Sequence, residues 1–374
     1  MNKICGIVAE YNPFHKGHEY QIQKTKELIN YDVLIVVMSG NFVQRGEPAM
    51  IHKWKRAEHA IRGGVNIVVE LPYLYSTQSA SQFAHGATRI LKHMGITHLS
   101  FGSECGNLEN LQEIADTSVN PDHLHVALNQ GMSYPKSYRL LTTDMYPNDI
   151  LGVCYLKEIK DTSIQPILIT RTNSYTDESL QEISSASAIR KAIQEKKDVS
   201  LYTPMAKELS SYPYVSLENY YPYLRTFLLT SPKEYLQKMF LVSEGIENHI
   251  VKCAKENASY EGFIKDATNW RYTSSRIRRT CLQMLLQLSK EEVQKLPTLD
   301  SPRILAFDEI GRSYLHQLKK QEVSYSSRFA KLAYPYRTME YRSTLLYTSI
   351  FEESLRQEIL DLEIGGALYI KEDQ

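Results

Sequence analysis

The sequence has little of three things, and each shortage narrows what the chain can be. Its five cysteines, Cys5, Cys105, Cys154, Cys253 and Cys281, are scattered without metal-type pairing, so neither a disulfide framework nor a thiolate metal site is expected. Reduced thiols in a cytoplasmic protein fit this usage. No run of about 18 apolar residues occurs, which excludes a membrane-spanning helix. The opening apolar run is also too short for a cleaved signal peptide. Net charge is absent, with Lys+Arg and Asp+Glu both at 43, so a nucleic-acid surface would have to arise by segregation of charge. What is present is enough hydrophobic residue, 43% of 374, to bury a large core, and a length that favours two domains.

The first twenty residues organise the rest. Ile4 to Ala9 is a compact, partly β-branched run broken by Asn12-Pro13, which predicts a buried strand followed by a turn. Helical patterning begins at His15, and His15-Lys-Gly-His18 therefore stands at the mouth of a helix. Glycine there admits a bulky anion to the backbone, while the helix N-terminus offers free N–H groups and a positive dipole end. Two imidazoles in that place can stabilise charge growing on a phosphate. Packing or capping of the helix is their plainer alternative.

Strand and helix then alternate. Val33 to Met38, Asn66 to Glu70, Thr97 to Phe101 and Ile164 to Thr170 predict further strands, with helices over 21–29, 53–62 and 79–93 between them. This order predicts an α/β fold with a doubly wound parallel sheet, whose ligands bind beyond the carboxyl ends of the strands. His15, Ser39, Glu70 and Gly102 all follow strands and are expected on one rim. Residues 106–147 read as a polar, helical excursion, with Asn148 or Asp149 capping the helix that follows. Arg171 follows the fifth strand, where it could meet phosphate or pair with Asp177 or Glu178. Serines precede Ala-Ile-Arg-Lys-Ala-Ile193, a helix N-terminus that could hold an anion or be a plain serine cap.

These residues resemble a known family. Ala9-Glu-Tyr-Asn-Pro-Phe-His-Lys-Gly-His18 is similar to the His-x-Gly-His signature of the nucleotidylyltransferase superfamily, and more closely to the bacterial tRNA(Met) cytidine acetate ligases. The family's other marks recur in order: Met38 to Ala49, Glu70-Leu-Pro72, Phe101-Gly-Ser-Glu104, Pro147 to Gly152 and Ser184 to Arg190. The resemblance is dense in the first half and weaker towards the end. It implies a Rossmann-like His-x-Gly-His nucleotidylyltransferase domain over 1–200 that binds ATP. His15 and His18 would stabilise a pentacovalent α-phosphate, with Arg190, Ser185 and Ser187 on the leaving pyrophosphate. The ATP loop would comprise Ile7, Val8, Ala9, Glu10, Tyr11, Asn12, Pro13, Phe14, His15, Lys16, Gly17, His18, Glu19 and Tyr20, and Gly102, Asn148 and Arg171 would hold the rest of the nucleotide.

After about Ser200 the alternation stops. A Pro/Tyr-rich connection, 212–223, leads into helical patterns, so residues 201–374 are expected to form a second, mostly helical domain, with the chain end returning to the first. Charge segregates there: from Lys265 to Arg342 fifteen Lys/Arg face eight Asp/Glu. Arg271, Arg276, Arg278 and Arg279, interleaved with aromatics and hydroxyls, suit contacts with RNA phosphates and splayed bases, as well as a solvated helix face. Lys53 and Arg56 are further candidates for tRNA or phosphate.

The resemblance therefore implies an enzyme that uses ATP to activate acetate as acetyl-adenylate and acetylates N4 of the wobble cytidine of elongator tRNA(Met). Magnesium would accompany ATP, and no dedicated metal site is expected. The alternatives are another acyl-adenylate-forming or metabolite nucleotidyltransferase of the citrate lyase ligase kind, and a non-catalytic RNA-binding protein. Nothing in the residues themselves selects acetate over another small acid.

Overall fold

The computed structural model describes residues 3–117, 145–171 and 184–371. Nine strands are present among them: β1 (Ile4–Ala9), β2 (Val33–Ser39), β3 (Phe42–Val43), β4 (Glu47–Pro48), β5 (Ile67–Leu71), β6 (His98–Ser103), β7 (Gln165–Thr170), β8 (Ile304–Phe307) and β9 (Leu368–Tyr369). Seven form one sheet in the order β7-β6-β1-β2-β5-β8-β9, and β3 pairs with β4 in a small antiparallel hairpin. The pairings from β7 across to β5 are all parallel.

The runs of unbroken hydrophobic residue follow from burial of the sheet on both faces. In β2, Val33, Ile35 and Val37 enter one core cluster while Leu34, Val36 and Met38 enter the other. Successive strand residues point to opposite faces, so a strand covered on both sides has no polar position to show. The helix Ala80–His93 covers the first face through Phe83, Ala84, Ala87, Ile90 and Leu91. Helices Lys16–Ile29 and Lys53–Arg62 cover the second through Ile22, Trp54, Ala57, Ala60 and Ile61.

The chain passes from β1 to β2 and β5 on one side and to β6 and β7 on the other. The switch point lies between β1 and β6, where the carboxyl ends of the strands diverge and leave a crevice for a ligand.

Residues 201–371 are mostly helical. Leu217–Thr230, Ile246–Glu256, Tyr260–Ala267 and Ser274–Leu286 enclose a third core built on Leu224, Leu228, Ile250, Phe263, Ile277 and Cys281. Two features depart from the sequence reading. The connection expected over 212–223 is half helix, because Ser216 and Asn219 make a reciprocal capping box that starts it, and it continues through Pro222 at the loss of one backbone hydrogen bond. The second is β8, which adds antiparallel to β5, with β9 parallel beside it. The chain end returns to the sheet as expected, but it does so as strands, and these were too short and too mixed to show a period. Of the excursion read over 106–147, Leu108–Asp116 is helical, and residues 118–144 lie outside the described residues.

Candidate active site

His15 is the N-cap of the helix Lys16–Ile29. Its Nδ1 accepts the Gly17 N–H at 3.0 Å, and Nδ1 of His18 accepts the His15 N–H at 3.2 Å, a capping box made of two histidines. The rings lie 3.8 Å apart at 36°. Because both Nδ1 atoms are acceptors, the neutral rings carry their protons on Nε2. Burial, followed by the guanidinium groups of Arg171 and Arg190, lowers His15 to about 3. His18 is lowered well below its usual value by burial, then by His15 and Arg171. At neutral pH the pair therefore presents two N–H donors without a positive charge.

These rings border a cleft of roughly 470 Å³, open mouth included, at the switch point. Gly17, Tyr20 and Gln21 line it from the first helix, Gly102 from β6, Thr170 and Arg171 from the end of β7, and Ser184 and Ser185 from the turn before the helix Ala186–Gln194. Two helix N-termini thus converge on one space, a setting that favours an anion. The stem of Arg171 passes over Gly102, where an added Cβ would lie 3.4 Å from its Cγ. Nε of Arg171 is buried and has no hydrogen-bond partner among the described residues. The suggested pairing of Arg171 with Asp177 or Glu178 lies outside the described residues.

The remaining candidates occupy varied places. Ser185 Oγ accepts the Ala188 N–H at 3.0 Å as a cap. Arg190 donates to the Asn12 carbonyl at 2.9 Å and to Ser187 Oγ at 3.1 Å, which holds it within electrostatic reach of His15. Asn148 donates to Glu104 at 2.5 Å rather than facing the cleft directly. It does not cap its helix, and neither does Asp149; Tyr146 is the N-cap, with Pro147 in the first turn. Asp149 instead reaches back as a buried carboxylate that accepts from Ser103 Oγ at 2.5 Å, Glu104 N–H at 3.1 Å and Cys105 N–H at 3.2 Å, fixing the turn after β6. Sequence reading saw a cap there because a carboxylate near a helix start has that role most often. In the loop 7–20, Ile7, Tyr11 and Phe14 are core residues, and Lys16 is exposed.

Ser39 and Glu70 do not reach this cleft. Both are buried, Glu70 inside an ionic cluster that also corrects the reading of Lys53. Lys53 Nζ lies 2.5 Å from Glu70 and 2.7 Å from Glu363, and Arg303 bridges the same two carboxylates. Arg56 is equally enclosed: its guanidinium donates to the carbonyls of Glu10, Ser39, Gly40 and Ile51. Lys53 is 1% and Arg56 0% exposed, so neither is placed to meet tRNA; the face of the helix that carries both is turned inward.

The arginines of the second half divide. Arg271 is exposed beside Trp270, and Arg276 is half-buried against Tyr272, Ser243 and Glu244. Arg278 pairs with Glu47 at 2.5 Å and Arg279 donates to the Gln44 carbonyl, so both hold the β3–β4 hairpin. Gly46, at φ +78°, lies so close beneath them that a Cβ would come within 2.6 Å of the Arg279 nitrogen. The hairpin in turn reaches the site, since the Gln44 N–H donates to Glu10 at 2.8 Å.

Among the described residues, no helix is long and apolar enough to cross a membrane, and no group of three or more His, Cys, Asp or Glu gathers that could hold a metal ion. The profile of the HIGH Nucleotidyl Transferase family matches residues 2–361. A tRNA(Met) cytidine acetate ligase of Anoxybacillus flavithermus is 36% identical over 96% of this chain and 98% of its own length. One from Limosilactobacillus reuteri is 36% identical over 98% and 95%. The crystal structure of Thermotoga maritima TmcAL, solved empty and bound with alpha-thio ATP, superposes with a TM-score of 0.88 at 31% identity over 99% of this chain and all of that one. With its paired imidazoles at the switch point and this likeness along its whole length, the chain belongs to the tRNA(Met) cytidine acetate ligase family of HIGH nucleotidyl transferases.

Proposed function

We propose that the chain condenses acetate with ATP to acetyl-adenylate and pyrophosphate, then transfers the acetyl group to N4 of the wobble cytidine of elongator tRNA(Met), giving N4-acetylcytidine and AMP. The observation that carries this reading is the paired tautomer of His15 and His18. With both Nδ1 atoms engaged by backbone, each ring keeps its proton on Nε2, and both rings border the cleft. A carboxylate oxygen of acetate attacks the α-phosphorus, negative charge accumulates on its equatorial oxygens, and donors already in position stabilise that charge without reorganising.

Ser185, Ser187 and Arg190, at the N-terminus of the helix Ala186–Gln194, are suited to the departing pyrophosphate. Gly102 and Arg171 are suited to the nucleoside side, where Arg171 brings a buried donor without an acceptor among the described residues, and Asn148 would join them by turning from Glu104. Magnesium would arrive on the ATP phosphates. Arg271 and Arg276 offer guanidinium groups beside exposed or stacked rings, a combination fitted to RNA. No covalent enzyme intermediate is needed, since positioning and charge stabilisation carry adenylyl transfer.

The test is mass spectrometry of tRNA incubated with the protein, ATP and isotopically labelled acetate. Label on the anticodon cytidine of elongator tRNA(Met) supports the proposal. ATP–pyrophosphate exchange with acetate but no label on tRNA would reassign the chain to another acyl acceptor.

A further inference from the structure

The transfer step requires a place where the amine of the acceptor meets the acyl-adenylate and loses a proton. The adenylate chemistry lies at His15 and His18, whereas the arginine-bearing helix Ser274–Leu286 belongs to the other half of the chain. One line of contacts joins them. Arg190 lies within electrostatic reach of both His15 and Glu10, Glu10 accepts the Gln44 N–H, and the hairpin carrying Gln44 is held by Arg278 and Arg279.

Glu10 therefore stands at the junction of the two halves, directly after the central strand β1. Its backbone is fixed as well, because its carbonyl accepts from Arg56. Oε1 takes the Gln44 N–H at 2.8 Å, and the second carboxylate oxygen has no hydrogen-bond partner among the described residues. Glu47, the neighbouring carboxylate, is committed to Arg278. A carboxylate is also the side chain that accepts from the N4 amino group of cytosine.

We propose that Glu10 receives the attacking amine: its free oxygen accepts a hydrogen bond from N4 and takes the N4 proton as the carbon–nitrogen bond forms. The assignment rests on the acetyl-transfer reading above. In this step the N4 lone pair attacks the acetyl carbonyl carbon, the bond from that carbon to the phosphate oxygen breaks, AMP leaves with that electron pair, and the proton passes through Glu10 to solvent. Burial raises the Glu10 carboxyl above its usual range, the Gln44 N–H, Arg190 and Arg45 oppose that rise, and Glu47 adds to it. Arg56 and Tyr155 are the other ionisable groups that sense its charge. A carboxylate made more basic in this way is a better proton acceptor.

The experiment compares two nucleophiles with the wild-type chain and with Glu10→Gln and Glu10→Asp. One is an elongator tRNA(Met) transcript, whose N4 needs a proton acceptor; the other is hydroxylamine, which traps acetyl-adenylate without one. For Glu10→Gln the ratio of tRNA acetylation to acetohydroxamate formation should fall ~10²-fold or more, within the range typical of general-base catalysis. The rise of the transfer rate with pH through the carboxyl ionisation should vanish in the same variant. Glu10→Asp, which keeps an acceptor for Gln44 and a basic oxygen, should restore part of the ratio. An equal fall for both nucleophiles, or no fall in either, overturns the assignment. Failure of the wild-type chain to form acetohydroxamate would remove the adenylate reading, and this assignment with it.

Discussion

His15 and His18 are bound to each other through the main chain: the His15 N–H donates to Nδ1 of His18 at 3.2 Å, and the rings lie 3.8 Å apart, tilted by 36°. Both rings therefore border one cleft with their Nδ1 atoms already engaged. His18→Ala should slow acetate-dependent ATP–pyrophosphate exchange ~10²–10³-fold, the usual cost of one such donor. The double variant with His15→Ala should cost less than the product of the two single effects, because residues acting as a unit are not additive. Exchange assays on the three variants, with tRNA binding measured beside them, check this. Unchanged turnover, or parallel loss of tRNA binding, would remove the pair from the chemistry.

The same burial makes a prediction about pH. A histidine whose folded pKa lies below its unfolded value of about 6.5 binds a proton in the unfolded chain first. Stability from the buried neutral ring is therefore complete above pH ~6.5 and is lost as pH falls from there towards 3. His15→Gln should flatten this acid dependence, read as denaturation midpoints from pH 7 to pH 4. A midpoint series with the wild-type slope would contradict it.

In the ionic cluster, Lys53 and Arg303 already balance Glu70 and Glu363, which leaves Glu340 as the surplus carboxylate. Burial, then the nearby charge of Glu70, raises Glu340 to about 8, while it accepts the Tyr73 N–H at 2.8 Å. With the folded pKa above the unfolded one, stability is highest below pH ~4.5 on account of this group and declines as pH rises to about 8. Glu340→Gln keeps the acceptor for Tyr73 and should raise stability at pH 8–9 while removing that decline. Glu363→Gln should instead destabilise by up to ~3–5 kcal/mol, since it removes the carboxylate charge that Lys53 and Arg303 both contact. Chemical denaturation of both variants at pH 6 and pH 9 distinguishes them, and equal effects would contradict the assignment of the surplus.

The arginines are separated by salt. If Arg271 and Arg276 meet tRNA phosphates, each lost contact should lower the slope of log affinity against log salt by a little under one unit. Arg278→Ala, which frees Glu47, should act mainly through the hairpin, weakening acetyl transfer more than the salt slope. Arg276→Lys should restore only part of the binding lost in Arg276→Ala, because an ammonium does not stack on Tyr272 as a guanidinium does. Filter binding across a salt series provides the measurement. Slopes unaffected by Arg271→Ala and Arg276→Ala would return both residues to the solvated surface.

The parallel half of the fold was legible because its strands are hydrophobic on both faces and its first turns are marked by Asn12-Pro13 and Ser39-Gly40. The histidine motif was legible because its spacing sets both rings on one turn. Lys53 and Arg56 were misread for a physical reason. One sequence shows the charge of a residue but not the carboxylates and carbonyls that neutralise it, and here two partners of Lys53, Glu70 and Glu363, are 17 and 310 positions away in the chain. Asp149 and Glu10 were obscured in the same way, since their partners at Ser103 and Gln44 come from separate turns. The strand β8 was hidden by its length, four residues framed by Arg303 and Asp308.

The position of β8 also matters for how the chain is made. Ribosomes release residues in order, and β5 is complete more than two hundred residues before β8 emerges to pair with its outer edge. Until then the nascent sheet carries a bare edge of unpaired amides and carbonyls, and Lys53 beside Glu70 lacks Arg303 and Glu363. An open strand edge of this kind is a template for pairing with another chain. The late arrival of β8 therefore leaves the outer edge of β5 open through much of synthesis, and that edge is sealed only once residues 304–307 have been made.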